Sequence, residues 1–162
     1  MRYLRPRATP IKIKDKTYNI LFTLEVIDEL QIRSELPITK TMKMITYEST
    51  RKIAITFLLS VLFPSEKIEI DDSELYYLYV MLMSAYSEQI FSKEMELRKT
   101  KSTKEEFVDI EKWIYIGTVV LGYPEKEVWN MTLGKIDTLY REHLKYIGII
   151  AENKVVNIDD VI

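Results

Sequence analysis

The chain has 162 residues, 47% of them hydrophobic and 30% charged, with a formal net charge of -2. That length and balance fit one folded domain with a real core, or a compact domain plus a helical extension, and exclude a disordered chain. The absence of cysteine removes disulfides, thiolate metal sites and a cysteine nucleophile, and a single histidine, His143, cannot form a metal-binding cluster.

The charge is unevenly placed. Residues 1–16 hold six Lys/Arg against one Asp, a local sum of +5, and the remainder sums to -7. Arg2, Arg5 and Arg7 lie in a short stretch with Pro6 and Pro10 rather than along a folded face, so residues 1–10 are expected to form a flexible basic arm and not a nucleic-acid interface. No apolar stretch follows these arginines, so a secretory signal is not expected. The longest unbroken apolar run, Leu75 to Met83, falls far short of the roughly 18–20 residues of a spanning helix. A cytoplasmic protein with no membrane contact is the expectation.

In chain order, Ile11 and Ile13 alternate with Lys12 and Lys14, the period of a half-buried strand, and Asp15-Lys16 marks a turn. Tyr18, Ile20 and Phe22 form a second alternating set, completing a hairpin. Thr23 then reads as the N-cap of a first helix, with Phe22 and Ile27 at hydrophobic-staple positions and Glu25 suiting the helix dipole. Pro37 breaks the pattern, and a polar, Thr-rich connection is expected before a second helix from about Thr46 to Phe63. Its stripe runs through Ile53, Ala54, Phe57, Leu58, Val61 and Leu62, widened by Ile55, Leu59 and Phe63. Asp71 and Glu74 have capping-box spacing, and Ile70 with Leu75 forms a second staple, opening a third helix that reaches toward Arg98. Its first half is apolar all round, and its second half carries only a sparse stripe through Ile90, Phe91, Met95 and Leu97.

Thr103 and Glu106 form another capping box, and Phe107, Ile110, Ile114, Gly117 and Leu121 mark one face of a fourth helix ended by Gly122 and Pro124. A short helical segment, Glu125 to Asn130, precedes Thr132, an N-cap with Met131 and Ile136 at staple positions. The last helix runs to about Ile147, and Gly148 stops it. The expected class is mainly α, a helix-dominated α+β fold of five to six helices preceded by a small N-terminal β-hairpin. The organisation read from these signals is a domain over 11–98, a linker over 99–103, a C-terminal helical region over 104–148 packed on that domain, and a tail over 149–162.

Catalytic equipment is scarce. His143 lies on the apolar stripe of the last helix with no partner motif, and reads as a hydrogen-bonded, partly buried imidazole rather than a general base. The acidic group Glu66, Glu69, Asp71, Asp72 and Glu74 lacks the spacing and central glycine of a calcium loop. Gly134-Lys135 is no phosphate loop, because the glycine required five residues earlier is Trp129. No enzyme activity, cofactor or metal is expected. The chain is instead rich in Tyr and Met, with Tyr76, Tyr77, Tyr79, Met81, Met83 and Tyr86 concentrated in one helix. Such side chains build adaptable protein-binding surfaces. Because they surround the helix, part of the set is expected to serve self-association or a client groove and the rest the core. Trp113 and Trp129 read first as core anchors, and Trp129 is also a candidate contact.

With these residues in hand, the chain resembles the tail assembly chaperones of long-tailed (siphovirus-type) bacteriophages. The likeness rests on the strand TYNILFT followed by the helix LEVIDEL, and on LGYPEKEVWNMTLGKIDTL, in which a small helix, Trp129 and the pair Met131-Thr132 precede a new helix. The turn departs from the family pattern, with Asp15-Lys16 where a glycine is frequent, and the Tyr/Met helix has no residue-by-residue match. The resemblance implies a protein absent from the finished virion that binds the tape measure protein, and also tail tube subunits (the major tail protein), keeping long apolar helices soluble. The alternative is a small helical DNA-binding regulator of phage or plasmid origin. That reading calls for a glycine-turned helix pair with a basic recognition helix, which the sequence lacks.

Overall fold

The computed structural model describes residues 8–90 and 106–150. The arm over 1–7, the charged half of the third helix with Phe91, Met95 and Leu97, the linker at 99–103, Thr103 and the tail beyond 150 lie outside the described residues. The fold is helix-dominated with an N-terminal two-stranded antiparallel hairpin.

The hairpin pairs β1 (Thr9–Ile13) with β2 (Lys16–Ile20) in a register that sets Ile11 opposite Tyr18 and Ile13 opposite Lys16. Ile11, Ile13 and Ile20 are buried, as the alternation requires. The two-residue turn is Lys14-Asp15, one position earlier than Asp15-Lys16, and Lys14 takes a left-handed φ of 51°. That shift is enforced by the register: with Ile13 and Lys16 paired, only two residues remain to reverse the chain.

Thr23 caps α1 (Leu24–Ser34), its hydroxyl accepting from the Val26 amide at 3.3 Å, and Phe22 and Ile27 are both fully buried beside it. The expected polar connection after Pro37 is in fact a helix, α2 (Ile38–Thr46). Ile38, Thr41, Met42 and Ile45 are buried on one face, an i, i+3, i+4, i+7 set that outweighs the intervening Thr and Lys residues. The next helix, α3 (Glu48–Leu62), buries Ala54, Ile55, Leu58, Leu59 and Val61. Ile53, assigned above to its apolar stripe, is 71% exposed, because at about 100° per residue it falls nearly opposite the centre of that face.

A 3-10 turn over Asp72–Glu74 leads into α4 (Leu75–Ile90). Glu74 reaches back to the Asp71 amide, as the capping-box spacing requires. Its other carboxylate oxygen accepts from the Lys14 amide at 2.7 Å, tying the hairpin turn to the start of α4. Leu78, Leu82, Ala85, Tyr86, Gln89 and Ile90 form the buried face of α4.

Residues 106–109 are non-helical, and Asp109 caps α5 (Ile110–Tyr115) by accepting from the Lys112 amide. The fourth helix therefore starts later than the Thr103–Glu106 pair proposed, and Phe107, expected on its apolar face, lies ahead of it and is 55% exposed. The helix continues as a π-turn over Ile116–Val120, closed by the Leu121 amide donating to the Ile116 carbonyl. Gly122, at φ +75°, ends it in a conformation that favours glycine. α6 (Glu125–Trp129) and α7 (Leu133–Tyr146) follow. Thr132 caps α7, accepting from the Lys135 amide at 3.4 Å, and Met131 and Ile136 are buried as a staple pair. Ile116, Val128, Met131, Leu133 and Ile136 share one core with the buried residues of the hairpin and α1–α4. No helix among the described residues is long and apolar enough to cross a membrane.

Candidate functional site

The two sequence segments that carry the family likeness meet. Thr23 and Thr132 form an isolated antiparallel bridge, and the Leu24 amide donates to the Met131 carbonyl at 2.9 Å. Both threonines are buried. The start of α1 and the start of α7 are thus joined at one junction, each helix keeping its own side-chain cap.

Two glutamines, which sequence reasoning missed, tie the chain on either side of α1's middle to distant segments, Gln89 at the approach to the junction and Gln31 in the last turns of α1. Gln89, buried at the end of α4, accepts from the Phe22 amide at 2.7 Å and donates to the Ile20 carbonyl and the Thr9 hydroxyl at 3.1 Å. Its primary amide therefore fastens both strands of the hairpin where β2 passes into α1. Gln31, on the buried side of α1, accepts from the Val108 amide at 2.7 Å and donates to the Val108 carbonyl at 3.1 Å. A side-chain amide satisfies a backbone residue on both sides here, as a neighbouring strand would. Nothing local in either helix signals these partners; the only visible hint is a glutamine at a core-facing position. A local pair of a different kind is Asp137 with Arg141, one turn apart in α7, 2.9 Å from each other and both largely buried.

The Tyr/Met set of α4 is split by its geometry. Tyr86 is buried edge-on against Phe22, ring centroids 5.9 Å apart, and burial pushes its phenol pKa up. Tyr79, Met81 and Met83 are half-buried against the core, with the Arg51 guanidinium 5.0 Å above the Tyr79 ring. Tyr76 and Tyr77 are exposed, at 69% and 40%, and Val80 one turn on is also exposed. Ser84, Ser87 and Glu88 continue that outward face. Its apolar character is thus confined to the first turns of α4. Tyr77 is not idle there, since its hydroxyl accepts from the Lys12 amide at 3.1 Å.

Trp129 sits apart from this patch, half-buried at the end of α6, where its indole N–H donates to Glu125 at 3.1 Å. It lines an open groove of about 700 Å³ between α1 and α6, together with Glu25, Asp28, Glu29, Glu125 and Lys126. Burial, with Glu29 adjacent, holds the Asp28 carboxyl above its usual range. The seven candidate contacts thus divide into an exposed pair, a half-buried group, a core residue and a tryptophan in a separate groove. Among the described residues, no group of three or more carboxylates or histidines is arranged to hold a metal ion, and His143 is half-buried near the end of α7. No protein-family model, no curated protein and no solved structure matches this chain.

Proposed function

We propose that this protein is a tail assembly chaperone of long-tailed bacteriophages, a binding protein without catalysis that holds the tape measure protein soluble in the host cytoplasm. Tail tube subunits are its second class of client, and it leaves the assembly before the virion is complete. The observation that carries this reading is the junction of Thr23 with Thr132: the two segments that resemble the family are far apart in sequence and in direct backbone contact. The exposed apolar start of α4, Tyr76, Tyr77 and Val80, supports a holding role. An apolar helix laid there would be stabilised by roughly 25 cal/mol for each Å² of surface removed from water.

Co-expression of the protein with a long, helical tape measure protein tests the reading. The client is expected in the soluble fraction and co-purifying with the wild-type chain. The double variant Tyr76→Asp and Val80→Asp, which spares the Tyr77 hydroxyl, is expected to fold and to lose the client. A client equally insoluble with and without the wild-type protein overturns the reading.

A further inference from the structure

The hairpin has two outer edges, and they are built differently. In an antiparallel pair, residues opposite one another alternate between exchanging hydrogen bonds and pointing their N–H and C=O groups away. The Lys12 amide donates to Tyr77, so Lys12 points outward from β1, and by the same period so does Pro10. Pro10 has no N–H, Lys12 is bonded to Tyr77, and the Lys14 amide is bonded to Glu74. No donor remains on that edge, and α4 occupies it.

The partners of Pro10 and Lys12 in the register are Asn19 and Thr17. Their backbone groups point out from the opposite edge, along β2, and both residues are exposed. Among the described residues nothing hydrogen-bonds these groups. The edge has no proline and no bulge. Its one charged guard, Lys16, has its ammonium committed to Glu66. Strand edges left this open are templates for another strand.

We infer that β2 is a self-pairing edge, taking the β2 strand of a second copy of this chain antiparallel about a two-fold axis at Tyr18. The strand is self-complementary in that register. Thr17 falls opposite the partner's Asn19 and Asn19 opposite the partner's Thr17, and each of these outward pairs exchanges both N–H···O=C bonds. Lys16 falls opposite the partner's Ile20, so no like charges meet across the seam. On the inner face Tyr18, which packs on Phe63 with ring centroids 5.0 Å apart, meets its own counterpart. Two hairpins become one four-stranded antiparallel sheet, past the strand number at which a sheet with one apolar face becomes independently stable. This isologous contact stands apart from the apolar start of α4 and does not depend on the chaperone reading.

Sedimentation over a wide concentration range, with Asn19→Pro and Asn19→Ala, tests it. The Asn19 amide takes no part in the hairpin, so proline there mirrors Pro10 across the register and is expected to leave helicity and thermal midpoint unchanged. The wild type and Asn19→Ala are expected to reach the mass of two chains at high concentration, and Asn19→Pro to stay at one. In the wild type, hydrogen exchange at the Thr17 and Asn19 amides is expected to slow as concentration rises. A wild type that sediments as one chain at every concentration overturns the inference. So does a dimeric Asn19→Pro, or a dimer whose Thr17 and Asn19 amides exchange at the rate of an unstructured peptide. If Asn19→Pro does not fold, the wild-type exchange decides alone.

Discussion

Thr23 and Thr132 stand opposite each other across an antiparallel bridge while each caps its own helix. Replacing one N-cap threonine by alanine typically costs about 1 kcal/mol, and the long cap distances here place each single variant at about 0.5–1 kcal/mol. Residues in contact do not add independently. Urea unfolding of Thr23→Ala, Thr132→Ala and the double variant is therefore expected to give a non-zero coupling energy. Strict additivity would mean that the two caps act separately and that the junction is held by Leu24 and Met131 alone.

On the buried amide of Gln89 two backbone groups and the Thr9 hydroxyl converge. Gln89→Leu keeps a comparable apolar volume but leaves the Phe22 amide and the Ile20 carbonyl without this partner. The Ile20 carbonyl keeps the Thr9 amide across the hairpin, so the Phe22 amide is the group left unsatisfied, and a loss of about 1–3 kcal/mol is expected in the stability read from denaturant midpoints. A loss below about 1 kcal/mol would place water or another group in that role.

Glu74 sets a pH dependence. Hydrogen bonds from the Lys14 amide, and then from the Asp71 amide, hold its carboxyl below its ordinary value of 4.5. A carboxyl depressed in the folded state contributes stability above its unfolded pKa and loses it as pH falls through the folded value. The stability difference between wild type and Glu74→Gln is thus expected to be widest near neutrality and to close at pH values below about 4.5. Glu66, lowered chiefly by its hydrogen bond from Lys16, titrates in the same direction and remains in both proteins. A gap constant with pH would show that the charge on Glu74 does not matter.

Gly117 is required by what it faces. A Cβ there would lie 2.5 and 2.7 Å from the two methyl carbons of Val128. Gly117→Ala is expected to destabilise by about 1–3 kcal/mol, the range for an overpacked core, and Val128→Ala in the same chain is expected to recover part of that loss. Calorimetric midpoints of the two single variants and the double variant measure this directly.

Elements whose signals are local were readable from residues alone: the hairpin alternation, the Thr23, Asp71 and Thr132 caps, and the stops at Gly122 and Gly148. α2 was not, although Ile38, Thr41, Met42 and Ile45 have helical spacing. Its first residue follows Pro37 with no side-chain cap, and its polar face is rich in threonine. The division of the α4 aromatics was also hidden. Periodicity groups Tyr86 with Leu78 and Leu82, but only the position of Phe22 shows that this face, and not that of Tyr76, meets the core. Gln31 and Gln89 were beyond reach because their partners lie 77 and 67 residues away, and no local pattern encodes such a pairing.

The ties from α4 to the hairpin also bear on the order of events during synthesis. The hairpin emerges before α4, yet the amides of Lys12, Lys14 and Phe22 receive their partners from Tyr77, Glu74 and Gln89, all made more than fifty residues later. Two strands alone are marginal in water. The hairpin therefore waits for α4: a nascent fragment stopped before Gln89 holds an unfastened hairpin, and the ribosome must deliver α4 before those two strands can settle.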